Sequence, residues 1–506
     1  MAARRVQPRS DPVEEEDDEG EQEEATRERE VVEAYVAEHS LEQALNDAVN
    51  HVVAARPADP FVALSALLGA RSTSQRGVLH VELLDVLAPS GGRAALVRLH
   101  TSKGIFTASC SSPPVSVEAE DTLLETLVGL DPMDQREFDS SLLPIEQAVG
   151  RAVTLAASMA ACLAGAKDAE LPLIDHIRAV GEIQATPSVP MPMVSVANAG
   201  RLASTKLAAQ DVVVIPHSAA SFDDALTIAV AVYNAFRTLL EARGVGFSNI
   251  GAFGGFAPQV ETLTDLFQLL RVAVDDAKTA MEAGGQLTAE NASSFAVGFG
   301  VDFAADAFAT DVPDSEDVAY DLNKWTPGSE GVSTPSDEML EVVRSNVTEF
   351  GLAVVVDPFA TRDTKTFGAL LNATENVDAT PEVNGEANSP AVQVAVRATS
   401  SAAVAALAEQ RACNAIVLEL AQFASVSALL TAIADARSVG LAVILAAIPG
   451  EQGDAELLAA IAVGAGVGQI KFGGLLAAES IERYNHVLLA SREQDAPPFV
   501  GLAFRQ

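Results

Sequence analysis

Helical periodicity opens the patterned part of the chain, after a first stretch with few apolar residues. Apolar side chains recur at intervals of three and four residues at Leu41, Leu45, Val49 and Val52. Ser40 is a suitable N-cap for this helix, and the segment RPADP at 56–60 breaks it before a second apolar helix starts at Phe61. The pattern therefore predicts a helical hairpin over 31–69, joined by a proline-rich turn.

Alternating and continuous apolar runs dominate the rest of the chain. Two strands separated by the turn sequence PSGG are predicted over 78–102, with helices over 119–130 and 143–166. From about residue 186, helical stretches separate short apolar runs, which are DVVVIP, SFAVGFGVDF, GLAVVVDPF, AVQVAV, NAIVLEL, LAVILAA and VGQIKFG. This alternation is typical of a parallel α/β barrel. We therefore predict an α/β protein with an α+β domain at 70–185 and a barrel at 186–506.

Two polar segments interrupt the barrel pattern, near 309–337 and near 372–390. Both are rich in Asp, Glu, Asn, Pro, Ser and Thr. We interpret both as exposed loops.

Charge changes the picture at the amino terminus. The chain has 506 residues and a formal net charge of −38, and residues 1–30 carry twelve acidic and five basic side chains. Such a run repels itself and buries nothing, so we predict a disordered acidic tail over 1–30. The tail is either a solubilising segment or a docking arm for a basic partner. The acidic balance argues against nucleic acid and against an anionic membrane surface as partners.

The cysteines argue for a reduced, intracellular protein. Cys110, Cys162 and Cys413 stand far apart, and no CxxC or HExxH spacing occurs. Neither a disulfide framework nor a structural zinc site is supported. The apolar stretch at 154–166 is rich in alanine and too short to span a bilayer, so no membrane association is expected.

Short phrases spread over residues 70–506 resemble the enolase family, in order and with similar spacing. They are ARSTSQRGVLHVEL, LPIEQAVGRAVTLAAS, VPMPMVSVANAG, SNIGAFGGFAP, VVVDPF, GQIKFG, ERYN and FVGLAFR. The resemblance implies an enolase-type α/β barrel with an α+β capping domain before it. The acidic tail and the hairpin lie outside the match. The segment 41–68 resembles the docking and dimerisation hairpin of protein kinase A regulatory subunits.

The resemblance implies a reaction that removes a proton alpha to a carboxylate, supported by two magnesium ions, a lysine base and a glutamate-linked acid. Magnesium takes hard oxygen ligands, and the family places carboxylates at three strand ends. The first of these matches Asp302 and is preserved, whereas the other two match Val356 and Val394, which cannot bind a metal. Asp357 follows Val356, and strand alternation predicts that its side chain points the other way.

The residues matched to the catalytic groups are replaced as well. Glu419 stands where the family has its lysine base, and Phe253 stands where it has the catalytic glutamate. Leu202 matches the substrate-side histidine, and Ala447 lies in the segment matched to the phosphate-gripping arginine and serine. Phenylalanine cannot transfer a proton. Glu419 could act as a base only beside a bound metal ion or a cationic substrate.

Four polar residues of the matched site remain, namely Gln210, Asp211, Asp302 and Lys471. They form either a residual pocket for an anion or a cation, or strand-end groups that pair with one another, for example Lys471 with Asp302. With the base, the acid and two metal ligands replaced, we expect no intact catalytic residue, no cofactor and at best weak binding of Mg²⁺.

We therefore interpret the chain as an enolase-like pseudoenzyme. The hairpin is either its attachment or dimerisation point or a segment that packs on the chain's own body. A hairpin ahead of such a barrel resembles enolase-like proteins of sperm flagella and cilia, which implies a scaffold role in a ciliary or flagellar axoneme. The expected partners are axonemal or cytoskeletal proteins, with a homodimer or a heterodimer with an enolase as the assembly. The alternatives are a cytoplasmic, magnesium-dependent phosphopyruvate hydratase with altered or residual activity, and an inactive subunit that binds active enolase.

Overall fold

The computed structural model divides the chain into two compact units, Met1–Arg76 and Gly77–Gln506. The residues it describes are 32–37, 40–56, 60, 61, 64, 67, 77–288, 292–315, 317–329, 331–374, 392–448, 454–493 and 495–505. The predicted acidic tail at 1–30 lies outside the described residues, as does most of the second arm of the predicted hairpin.

A long helix, α1, spans Leu41–Ala55 in the first unit, and residues 32–37 are also helical. α1 ends where Arg56 adopts a left-handed φ of 47°, because the proline that follows disfavours helical backbone. On one face of α1, Ala48 and Val52 are buried. The apolar side chains around them are exposed at Leu41, Leu45, Val49 and Val53. We call these four residues the α1 stripe.

A three-stranded antiparallel sheet opens the second unit, formed by β1 (Val78–Leu87), β2 (Arg93–Thr101) and β3 (Gly104–Ser111). β1 and β2 match the predicted pair. β3 was not predicted, because its residues GIFTASCS are mostly small or polar. The helices that follow are α2 (Val117–Leu127), α3 (Gln135–Leu142), α4 (Glu146–Val149), α5 (Arg151–Asp168) and α6 (Leu173–Val180). α5 packs against β2 and β3 and is buried along most of its length, which suits its many alanines.

Eight strands close a barrel in the remainder of the unit. The strands after the first sheet are β4 (Met191–Asn198), β5 (Asp211–Ile215), β6 (Gly298–Asp302), β7 (Ala309–Asp311), β8 (Val318–Tyr320), β9 (Thr334–Pro335), β10 (Leu352–Val356), β11 (Gln393–Ala398), β12 (Ala415–Glu419), β13 (Ala442–Ala446) and β14 (Gln469–Gly474). β7, β8 and β9 form a separate sheet, and the others form the barrel in chain order. The predicted α/β barrel is therefore confirmed.

Helices surround the barrel strands. They are α7 (Phe222–Arg243), α8 (Leu263–Ala283), α9 (Ser336–Phe350), α10 (Thr364–Thr374), α11 (Ser401–Glu409), α12 (Val426–Ser438), α13 (Ala455–Gly464) and α14 (Ala478–Ala490). One face of each strand points into the barrel and the other packs on helices, so the strands are apolar on both faces. This double burial explains why the barrel strands appear in the sequence as continuous apolar runs.

β5 departs from the predicted parallel arrangement, because it runs antiparallel to both β4 and β6. The only regular element in the link from β4 to β5 is the short turn Gly200–Leu202, whereas a parallel crossover is usually made by a helix. Since β5 is reversed, its first residue lies where the parallel strands end. Asp211 at the start of β5 is accordingly in register with Asp302 at the end of β6.

The insertion near 309–337 contains the small antiparallel sheet of β7, β8 and β9, so its interpretation as an exposed loop is wrong. All three residues of β8, Val318, Ala319 and Tyr320, are buried. The Tyr320 hydroxyl donates a hydrogen bond to Asp363 at 2.8 Å. Residues 375–391 of the second predicted insertion lie outside the described residues.

Among the described residues, α7 is long and apolar enough to cross a membrane by length and composition alone. Its buried side chains include Phe222, Val232 and Phe236, and the helix packs against β4, β5 and α8. Packing against the barrel therefore accounts for these buried side chains, whereas Val230 on the same helix is exposed.

Candidate functional site

Charged side chains gather at the barrel mouth where the parallel strands end and β5 begins. They are Asp211 on β5, Asp302 on β6, Asp357 directly after β10, Arg397 on β11, Glu419 on β12 and Lys471 on β14. We call these six residues the mouth cluster. Deeper in the barrel, the inward side chains include Val354, Val417 and Ile444. The mouth cluster is thus a charged layer above a largely apolar barrel interior.

Lys471 bridges the two innermost carboxylates. Its ammonium lies 2.8 Å from Asp211 and 3.2 Å from Asp302, and the exposure of these side chains is 1% or less. Asp211 also accepts hydrogen bonds from the Ser195 hydroxyl at 2.8 Å and from the Asn198 amide at 2.9 Å. Lys471 and Asp302 therefore form the strand-end pair that was predicted as one alternative. Asp211 binds the same ammonium.

Arg397 brings together the outer carboxylates of the mouth cluster. Its Nε donates to Glu419 at 3.0 Å, and one Nη donates to Asp302 at 3.1 Å and also contacts Asp357. The other Nη donates to Asp302 as well. Arg397 is not among the residues predicted from the sequence. A signal was present, because Arg397 is the charged residue in the apolar run VQVAVRA, and a charge in a buried strand needs a partner.

Asp357 belongs to the mouth cluster, so the prediction that its side chain points away is wrong. β10 ends at Val356, and Asp357 adopts a left-handed φ of 41°, so the alternation of a strand no longer applies. Its carboxylate accepts the backbone N–H of Arg397 at 2.9 Å and contacts the guanidinium of the same residue. Burial raises the pKa of Asp357 to about 6. The positive charge of Arg397 lowers this pKa, whereas the negative charge of Asp302 raises it.

Burial and opposite charges compete in the rest of the cluster. Burial alone would raise the pKa of Asp302, but Arg397 and Lys471 outweigh it and hold that pKa below its ordinary value. Burial alone would lower the pKa of Lys471 and of Arg397. The neighbouring carboxylates outweigh burial and hold both pKa values above their ordinary values. Asp302 and both bases are therefore charged at neutral pH.

Of the two valines matched to metal ligands, one lies at the mouth. Val356 lines the barrel interior in register with Asp302 and Ala395. Val394 packs in the outer layer between the strands and the helices, so its prediction as a ligand position is wrong. Side chains alternate along β11, and the inward positions include Ala395 and Arg397. The spacing that matches Val394 to a ligand position of the family does not show which residues of the strand face inward.

Phe253 covers Lys471 from the loop side of the mouth. Its ring centroid lies 4.2 Å from the Lys471 ammonium, which is a cation–π contact. The backbone N–H of Phe253 donates to the Asn198 side-chain oxygen at 3.1 Å, and Asn198 in turn donates to Asp211. An apolar ring tied to the mouth cluster therefore stands where the resemblance placed a catalytic glutamate.

Leu202, Ala447 and Gln210 lie around the mouth. Leu202 ends a short 3₁₀ turn, and its carbonyl accepts the Ala252 N–H at 3.0 Å. Ala447 is buried directly after β13. Gln210 donates its backbone N–H to the Asp302 carbonyl at 2.7 Å. These two hydrogen bonds are made by backbone groups, so they do not depend on the chemistry of the Leu202 and Gln210 side chains.

The mouth cluster does not offer the oxygen ligands that a magnesium ion takes. Both carboxylate oxygens of Asp302 accept N–H groups from Arg397, and Val356 presents an apolar side chain at the next strand end. Within the described part of the chain, no group of three or more His, Cys, Asp or Glu residues is placed to hold a metal ion. The magnesium ions that the resemblance implies therefore do not fit these residues as they are arranged.

Comparison with known proteins gives matches over most of the chain. The model of the enolase C-terminal TIM barrel domain matches residues 186–504. Cytosolic enolase 3 of Arabidopsis thaliana is 25% identical over 374 residues, which cover 67% of this chain and 74% of that protein. An enolase of Solanum lycopersicum is 28% identical over 394 residues, which cover 75% and 82%. Enolase 2 of Hevea brasiliensis is 28% identical over 393 residues, which cover 75% and 81%.

Proposed function

This chain belongs to the enolase family, and we propose that it is a non-catalytic member whose barrel serves as a structural or scaffold component. The observation that carries the proposal is the pairing within the mouth cluster. Arg397 and Lys471 are both bound to carboxylates of the chain itself. Positive charge that would hold an anionic substrate is thereby engaged inside the protein.

The residues at the matched catalytic positions support the same proposal. A proton transfer needs a group that can accept or release a proton within hydrogen-bond reach, and Phe253 cannot do so. Glu419 is an acid bound to Arg397, where the resemblance has a basic lysine. Loss of one catalytic group reduces a rate by about two to four decades, and losses within one catalytic unit are not additive. Together these replacements leave little of the family's mechanism.

A steady-state assay with 2-phosphoglycerate and MgCl₂ tests the proposal, with an ordinary enolase measured beside it. We expect no turnover above the rate without protein. Turnover within about a hundredfold of the ordinary enolase would contradict a non-catalytic role, since it exceeds what is expected after the loss of even one catalytic group.

The alternative is a phosphopyruvate hydratase with altered or residual activity, and the relatives named enolase favour it. In that case Glu419 would have to leave Arg397 and act as the base. Calorimetric titration with MgCl₂ and 2-phosphoglycerate separates the two proposals. Saturable binding of both would support the alternative, whereas heats equal to those of dilution would exclude it.

Attachment through the hairpin completes the proposal. The four side chains of the α1 stripe, Leu41, Leu45, Val49 and Val53, are exposed on one face of the helix. An exposed apolar stripe of this kind suits pairing with a second helix, either in a homodimer or with an enolase. By the resemblance to flagellar enolase-like proteins, the proposed setting is an axoneme with cytoskeletal partners. One relative is named a cytosolic enolase, and the cytoplasm is the alternative setting.

Imaging of a tagged full-length chain in ciliated cells tests the setting. Signal that remains on detergent-extracted axonemes supports the scaffold proposal. Signal that is lost with the soluble fraction would favour the cytoplasm.

A further inference from the structure

Carboxylates crowd at the barrel mouth in a space with little access to water. Of the four carboxylates in the mouth cluster, those of Asp211 and Asp302 are fully buried. The side chains of Asp357 and Glu419 are 12% and 11% exposed. Carboxylates this close to one another stay ionised only with positive charge among them. Within the mouth cluster that charge comes from Lys471 on the inner side and from Arg397 on the outer side.

The guanidinium of Arg397 connects strands that are neighbours in the barrel. Arg397 lies on β11, and its carboxylate partners belong to the ends of β6, β10 and β12. The guanidinium is planar and donates in fixed directions, so one side chain can serve several acceptors at once. Joining carboxylates from several strand ends is also what a divalent ion does in an oxygen-lined site.

Arg397 and a metal ion compete for the same oxygens. Both carboxylate oxygens of Asp302 accept N–H groups from the guanidinium of Arg397, and one oxygen each of Asp357 and Glu419 contacts the same guanidinium. An ion that entered the cluster would have to displace the guanidinium, and the apolar Val356 could not add a ligand in return.

We propose that Arg397 is a built-in cation that takes the place of a divalent metal ion at this mouth. The chain is for this reason indifferent to magnesium, and its strand ends are held together without it. This inference goes beyond the proposed function, because it concerns which cation holds the carboxylates of the mouth cluster together, whether or not the barrel serves as a scaffold.

Thermal unfolding of the full chain and of Arg397→Met tests the inference. Met has a similar length and no charge. MgCl₂ and MnCl₂ are added to each protein, with NaCl used to match ionic strength. We expect the wild-type Tm to be the same with and without either ion. Arg397→Met should have a Tm several degrees lower, and millimolar MnCl₂ should raise it saturably, because the freed carboxylates bind the ion.

Arg362→Met is the matched control, since Arg362 forms an exposed ion pair with Asp311 at 2.8 Å. Its Tm should stay near that of the wild type and show no response to the ions. If Arg397→Met cannot be purified, Arg397→Lys carries the test, because one ammonium cannot reach all three carboxylates. The absence of a saturable MnCl₂ response in whichever variant is measured would overturn the inference.

Saturable binding of MgCl₂ to the wild-type chain would overturn it as well. Such binding without turnover of 2-phosphoglycerate would leave the proposed non-catalytic role intact. The two proposals therefore fail by different measurements.

Discussion

Lys471 is the most deeply placed cation of the mouth cluster, with its side chain 1% exposed between Asp211 and Asp302. Replacing it by Met removes the charge and leaves two buried carboxylates without their shared partner. We expect Lys471→Met to lower the free energy of unfolding by about 3–5 kcal/mol, as measured by urea denaturation.

Lys206→Met is the control for that variant, since Lys206 pairs with Glu261 at 2.8 Å on the surface. It removes the same charge where water screens the pair, so its effect should be much smaller. Equal losses for the two variants would contradict the importance of burial at Lys471.

His217 makes a second residue-scale prediction, at the opposite end of β5 from the mouth. Its ring stacks on Phe504 at 5.5 Å. Burial lowers the pKa of His217 to about 3, and the charge of Arg505 contributes in the same direction. The unfolded chain takes up a proton near the ordinary value of about 6.5. The stability contributed by the neutral ring is therefore complete above that pH and is lost as the pH falls towards 3.

At a pH of about 5, the decrease in the free energy of unfolding that is due to His217 should reach about 2 kcal/mol. In His217→Gln the difference in unfolding free energy between pH 7 and pH 5 should shrink by about that amount. The exposed His80 provides the control, and His80→Gln should keep the wild-type difference. A difference that is unchanged in His217→Gln would show that this ring is not the acid-sensitive group.

The mouth cluster also shows how far sequence reasoning reaches for single residues. The pairing of Lys471 with Asp302 was foreseen, because two opposite charges at buried strand ends need each other. Arg397 was missed, and Val394 was given a ligand position, because matched spacing does not reveal which residues of a strand face inward. Asp357 was misplaced, because its left-handed backbone follows the end of the strand, which the sequence pattern does not mark.

At the scale of elements, the barrel strands were the easiest to predict. Burial on both faces gives each one a run of apolar residues, and the seven runs all coincide with strands. The direction of β5 was not predicted, since an apolar run is the same in either direction. β3 was not predicted because its residues are mostly small or polar, and β7, β8 and β9 were not predicted because they are only two or three residues long.

The α1 stripe makes the element-scale prediction. We expect the full chain to be a dimer held together by this stripe, and the double variant Leu45→Glu, Val49→Glu to be a monomer, because four charges would be buried in the interface. Sedimentation velocity measures the mass. Asn46→Glu with Asn50→Glu adds the same charge at exposed polar positions of α1 and should leave the dimer intact. A dimer that survives the stripe variant would place the contact elsewhere.

At the scale of the whole molecule, closure of the barrel creates the mouth cluster. Arg397 and Asp302 are 95 residues apart in sequence, and they meet because β6, β10 and β11 are consecutive in the ring. Local patterns predict the strands, but the neighbours of each strand follow from the ring, which the family resemblance supplied. The side-chain partners required the closed barrel itself.

The reversed direction of β5 has a consequence for how the barrel closes. A slip of β5 by two residues would keep its apolar face inward, so hydrophobic burial alone would not distinguish the two registers. The slip would, however, bring Val213 to the place of Asp211 and leave the Lys471 ammonium with one carboxylate fewer. The ion pair between Lys471 and Asp211 therefore favours the observed register of β5 when the barrel closes. Apolar burial alone would also permit the slipped register.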